Sequence, residues 1–137
     1  MMRGLGLAAL FAAGTCAAAD WRVVEAPSSA SPGMDYDAAR TYYEPPYITT
    51  WTRVMLPAPA RLSNGVEYRS TLQKVAIDCN ARTWAVTRFE FFAGEKPSGT
   101  PVYTYAPPRE EWALRPAREG TNGAMLLHVL CTTPRPW

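Results

Sequence analysis

The chain has 137 residues, 14 Lys and Arg against 12 Asp and Glu for a formal net charge of +2, and a hydrophobic share of 47%. That length holds one domain with one modest core. Interspersed charges near neutrality exclude the basic stripe that nucleic-acid binding needs, and a single histidine leaves little for a histidine-based metal site.

Met1-Met2-Arg3 stands ahead of the apolar run GLGLAALFAAG, and Ala17-Ala18-Ala19 supplies small residues for a peptidase. This is the pattern of an export signal, so residues 1–19 are expected to be removed and residues 20–137 to form a single domain. The apolar run is well short of the ~20 residues that span a bilayer, so no transmembrane helix is expected in the mature chain. Ala13-Gly14-Thr15 ahead of Cys16 lacks the leucine and the small last residue used for lipid attachment, which argues against a lipid anchor. Export leads to an oxidising compartment with Cys79 and Cys131 as the remaining cysteines, and a disulfide between them is the expectation. It would close a loop of about 50 residues and stabilise the fold by about 4 kcal/mol.

Trp21–Ala26 reads as a strand, broken by the turn residues of Pro27–Gly33. A short extended piece follows near Tyr36, and after Pro45-Pro46 a strand runs from Tyr47 to Leu56. Residues 57–65, PAPARLSNG, read as a loop, since Pro57 and Pro59 cannot donate to a ladder. Residues 66–92 form the clearest unit, two strands turning at Asn80-Ala81, with Val75 opposite Val86, Ile77 opposite Trp84, Leu72 opposite Phe89 and Gln73 opposite Arg88. In that register the first two pairs are apolar on one face, while Leu72, Phe89, Tyr68 and Phe91 lie on the other. Either each face is covered over half its length or matched bulges rotate the strands midway; covering on two sides is the preferred expectation.

Beyond the turn at Gly94–Pro101, Val102–Tyr105 is a short strand, and Arg109–Arg118 holds an extended edge near Trp112-Ala113-Leu114. Thr121-Asn122 caps a helix over residues 123–131, which places Leu126, Leu127, Leu130 and Cys131 on one side. The expected class is α+β: an antiparallel sheet of about five or six strands with one C-terminal helix packed on it and one disulfide.

No catalytic constellation is present, and the chain reads as a non-enzyme without cofactor or metal. Ser63, Ser70 and Ser98 lack the GxSxG elbow. Asp35 and Asp37 share a face if extended, but without calcium-loop spacing a turn or cap role is expected. An oxidised Cys131 cannot act as a nucleophile beside His128. What remains is aromatic and guanidinium surface, and Tyr47, Trp51, Arg53, Arg69 and Arg88 are the candidate protein-binding residues.

The Trp21-Arg22-Val23 start, Tyr36-Asp37, the Trp51 strand, Gly65-x-x-Tyr68-x-Ser70, Asp78-Cys79 with Arg82 and Trp84, and a short helix ending Leu130-Cys131 follow one another in this order. Together they resemble the surface-adhesin protein E family of small exported bacterial proteins over nearly all the mature chain. The resemblance implies an antiparallel sheet with a packed helix, a disulfide at Cys79 and Cys131, and residence in the periplasm or on the outer surface of a Gram-negative bacterium. It also implies a protein partner, such as host vitronectin, laminin or plasminogen, and a homodimer. The poor lipid-attachment sequence departs from the anchored family pattern. Two other classes stay open: an inhibitor presenting loop 57–65 or 94–101 to an enzyme cleft, and a structural or assembly protein of the envelope.

Overall fold

A computed structural model describes residues 18–29 and 32–134. All but the last two residues of the expected leader, and the tail at residues 135–137, lie outside the described residues. In chain order the elements are β1 (Trp21–Val24), β2 (Met34–Asp37), a 3-10 turn (Ala38–Arg40), β3 (Tyr42–Glu44), β4 (Tyr47–Arg61), β5 (Glu67–Asp78), β6 (Thr83–Phe92) and β7 (Tyr103–Tyr105). A second 3-10 turn (Arg109–Glu111), β8 (Arg115–Pro116) and helix α1 (Asn122–Thr132) complete them.

The strands form one antiparallel sheet in the order β1-β2-β4-β5-β6-β7, with β3 paired to β4 and β8 paired to β6. The α+β class and the packed C-terminal helix match the expectation, while the strand count is eight rather than five or six. β3 and β8 are too short to leave a periodic pattern in the sequence. The edge expected near Trp112–Leu114 lies slightly later, at Arg115–Pro116.

Two expectations are corrected. Residues 57–61 are strand rather than loop, because the ladder jumps from Met55 opposite Ser70 to Ala60 opposite Tyr68. Pro57 and Pro59 fall inside this irregular stretch, where no ladder N–H is required of them. The second correction concerns the hairpin. Ile77–Trp84 and Val75–Val86 pair as expected, but Thr87 is an extra residue on β6, so that Lys74 meets Arg88, Gln73 meets Phe89 and Leu72 meets Glu90. The Thr87 hydroxyl donates to the Lys74 carbonyl at 3.2 Å, which satisfies the ladder at the bulge. One bulge in one strand therefore turns Phe89 and Phe91 onto the face of Trp84 and Val86, away from Leu72.

That face carries the core. Val24, Met34, Tyr36, Ile48, Val75 and Ile77 lie beneath Leu126, Leu127 and Leu130 of the helix, and all are buried. Each buried leucine contributes about 1.5–3 kcal/mol. Thr121 caps the helix by accepting from the Ala124 amide at 3.2 Å. Gly123 rests on the Trp84 indole so closely that a Cβ there would lie 2.5 Å from a ring carbon. At the other end Cys131 is bonded to Cys79, with the Cα atoms 5.7 Å apart. Cys79 is presented by a turn in which Asp78 Oδ1 accepts from the Asn80 and Ala81 amides, each at 3.0 Å.

Replacing both cysteines (Cys79→Ser with Cys131→Ser) is expected to lower the unfolding free energy by about 4 kcal/mol in denaturant titration. Gly123→Ala should destabilise by about 1–3 kcal/mol through overpacking against Trp84, although alanine is the better helix former by about 1 kcal/mol. A more stable alanine variant would show that the helix does not rest on the indole.

Candidate functional site

The helix occupies one face of the sheet, and strand register defines the other. Val23, Asp35, Arg53, Leu72 and Glu90 form one row across five strands. Trp51, Lys74 and Arg88 form the next. Trp21 shares this face with Val23 by alternation along β1, and Tyr42, opposite Thr49, shares it with Trp51.

Arginines and tryptophans interleave here. The Arg53 guanidinium lies 4.5 Å from the Trp21 ring centre, and that of Arg40 lies 5.8 Å from Trp21 and 5.2 Å from Trp51. Each such contact is worth about 0.5–1 kcal/mol when exposed. Arg53 Nε donates to Asp35 Oδ2 at 2.7 Å, Arg40 Nε to Asp37 Oδ2 at 2.6 Å, and Arg88 Nε to Glu90 Oε1 at 3.2 Å. The carboxylates thus fix where the cations stand. Around the stack, Val23 is 80% exposed, Tyr42 53% and Met55 37%.

Asp37 is the pivot of one edge. Wholly buried, it accepts from the Asp20 amide at 2.9 Å and the Ala39 amide at 3.0 Å through Oδ1, while Oδ2 takes Arg40. Burial pushes its pKa up, but the Arg40 guanidinium and the two amides outweigh burial and hold it below the ordinary carboxylate range. The cap role expected for the Asp35/Asp37 pair is thereby found at Asp37, and Asp35 is committed to Arg53.

Of the five residues singled out in the sequence, Tyr47, Trp51, Arg53 and Arg88 share the helix-free face. Tyr47 stands at one end of it, edge-on to Trp112 at 5.9 Å and 5.4 Å from the Arg109 guanidinium. Arg69 is elsewhere, donating to the carbonyls of Leu56 and Pro57 and pairing with Glu95 at 2.9 Å. Sequence reasoning missed Trp21, Arg40 and Lys74 as neighbours of Trp51. The alternation of Trp21 with Val23 was the one local signal, and it names no partner strand. His128 is exposed on the helix.

The helix side has its own aromatic row beyond the reach of α1. Phe91 meets Tyr68 at 4.9 Å, Phe89 at 5.9 Å and Tyr103 at 6.0 Å, and Phe89 meets Tyr105 at 6.3 Å. Phe89 and Tyr105 also border an open recess of about 450 Å³ with Gln73, Trp84, Glu111 and Arg115.

The model of the surface-adhesin protein E family matches residues 21–132. The chain belongs to that family. No curated protein matches it. Membership of the surface-adhesin protein E family implies an exported or surface protein that binds protein. Among the described residues no helix is long and apolar enough to cross a membrane.

Asp37→Asn should cost about 2 kcal/mol at neutral pH, since a charge-assisted hydrogen bond is lost in a buried position. Because the folded carboxyl is depressed, its contribution is present above the unfolded value of about 3.9 and is lost as pH falls through the folded one. Melting curves of wild type and variant should therefore converge under strong acid.

Proposed function

We propose that this protein is a non-catalytic binding module of the Gram-negative envelope, exported by its leader, and that it holds a protein partner on the helix-free face of its sheet. The carrying observation is the stack in which Arg53, Trp21, Arg40 and Trp51 alternate. Tryptophan and arginine dominate binding hot spots. Here their positions are set by Asp35 and Asp37 before any partner arrives, which reduces the side-chain ordering that association otherwise costs. Val23, Tyr42 and Met55 extend apolar area around the stack. A host matrix or serum protein is the partner the family supports; an envelope protein or a second copy would use the same face.

Catalysis is not part of this reading, because Arg40, Arg53 and Arg88 are each paired with a carboxylate rather than arranged as nucleophile and base. The inhibitor alternative is weakened by the strand at residues 57–61, which leaves 94–101 as its better loop.

The test is capture of soluble partners on the immobilised domain, with laminin and vitronectin compared against periplasmic extract. Trp51→Ala combined with Arg53→Ala should weaken the retained partner tenfold or more, on the scale of about 2 kcal/mol for a hot spot, while Phe89→Ala and Tyr105→Ala leave it unchanged. The reverse pattern would move the site to the helix-side aromatic row. Retention of an endogenous envelope protein with no matrix protein would end the adhesion reading.

A further inference from the structure

Ala18, Ala19 and Asp20 are exposed, yet the backbone of Asp20 is fastened to the domain from both of its polar atoms. Its nitrogen donates to Asp37 Oδ1 at 2.9 Å, and its carbonyl accepts from the Ala38 amide at 2.8 Å. The first residue beyond the expected cleavage point is therefore the first that these bonds tie down, and the Ala19–Asp20 bond stands at the surface within reach of a peptidase. Asp37, its acceptor, is wholly buried.

We infer that Asp37 is the seat of an α-ammonium group made by cleavage between Ala19 and Asp20, so that processing adds an ion pair to the fold. The inference rests on residues 1–19 being an export signal. A signal peptidase hydrolyses the bond between the Ala19 carbonyl carbon and the Asp20 nitrogen. The oxygen of water joins Ala19, which leaves as a carboxylate, and the freed nitrogen takes up protons to become –NH3+. A neutral donor 2.9 Å from Asp37 thereby becomes a cation at the same place. The acceptor is ionised before and after cleavage; cleavage ionises the donor as well, which adds Coulomb attraction to a hydrogen bond that is already charge-assisted.

The surroundings suit a second cation. Arg40 engages Oδ2 of Asp37, which leaves Oδ1 for the ammonium and the Ala39 amide. The Asp20 carboxylate adds negative charge nearby and is itself paired with Arg22 at 2.9 Å. Arg53 stacks on the neighbouring Trp21 ring and is paired with Asp35. Cleavage ahead of Cys16 for lipid attachment would leave Asp20 as a peptide amide, so the ammonium at Asp37 distinguishes the two processing routes.

An ammonium held by Asp37 has a folded pKa above the ~7.7–8 of a free α-amine. Its stabilisation is complete below that value and disappears as pH rises through the folded one.

Protein exported from cells expressing the full chain is expected, by intact mass, to begin at Asp20. The pH midpoint for acetylation of its α-amine should lie at least about one unit above that of a short peptide of the same first residues. Acetylation should lower the melting temperature at pH 6 and leave it nearly unchanged at pH 10. Asp37→Asn should return the amine to the peptide's midpoint; if that variant does not fold, the acetylated and free wild-type proteins decide the matter. A chain beginning at a lipid-bearing Cys16 overturns both the leader reading and the seat. A chain beginning at Asp20 with an ordinary amine, or with equal melting temperatures at pH 6, overturns the seat alone.

Discussion

The helix is held at both ends by one hairpin, and the rest of the molecule is arranged by that fact. Gly123 lies flat on Trp84 near the start of β6, and Cys131 is bonded to Cys79 in the turn before it. Between these two points the helix runs about 12 Å, and its leucines close over Ile77, Val75 and Ile48. A helix of that length reaches only the end of the sheet near the bend. Tyr68, Phe89, Phe91, Tyr103 and Tyr105 lie beyond it and pack on one another instead.

The Thr87 bulge decides what the other face is made of. Without it, Phe89 and Phe91 would stand beside Leu72 on the helix-free side, a hydrophobic surface exposed to water. With it, Arg88 and Glu90 stand there instead, in rows with Trp51, Lys74, Arg53 and Leu72. One inserted residue thus turns an aggregation-prone face into a charged one that still carries indole surface.

Asp37 links stability to that surface. The same carboxylate ties down the backbone at Asp20, caps the 3-10 turn and orients Arg40 against two tryptophans. A substitution there acts on folding and on the shape of the helix-free face together. Measurements on neighbouring residues such as Trp51 and Arg53 are needed to separate the two.

The local parts of this structure were legible in the chain. Alternation marked the long strands, Asn80-Ala81 marked the bend, leucine spacing marked the helix, and the two cysteines left after an expected export signal marked their own bond. Each depends on neighbours in sequence or on a count. The bulge at Thr87 was not legible, because a regular ladder and a bulged one begin from identical pairs at Ile77–Trp84 and Val75–Val86. Nor was the grouping of Trp21 and Arg40 with Trp51, which requires β1, the 3-10 turn and β4 to meet across the β2 strand. Trp51, Arg53, Arg88 and Tyr47 could be chosen as interface types from residue chemistry alone, but chemistry gave no reason to leave out Arg69. Periodicity and composition act over a few residues and so determined the elements; the face each side chain joined was decided by pairing between distant strands, where one extra residue reverses the answer.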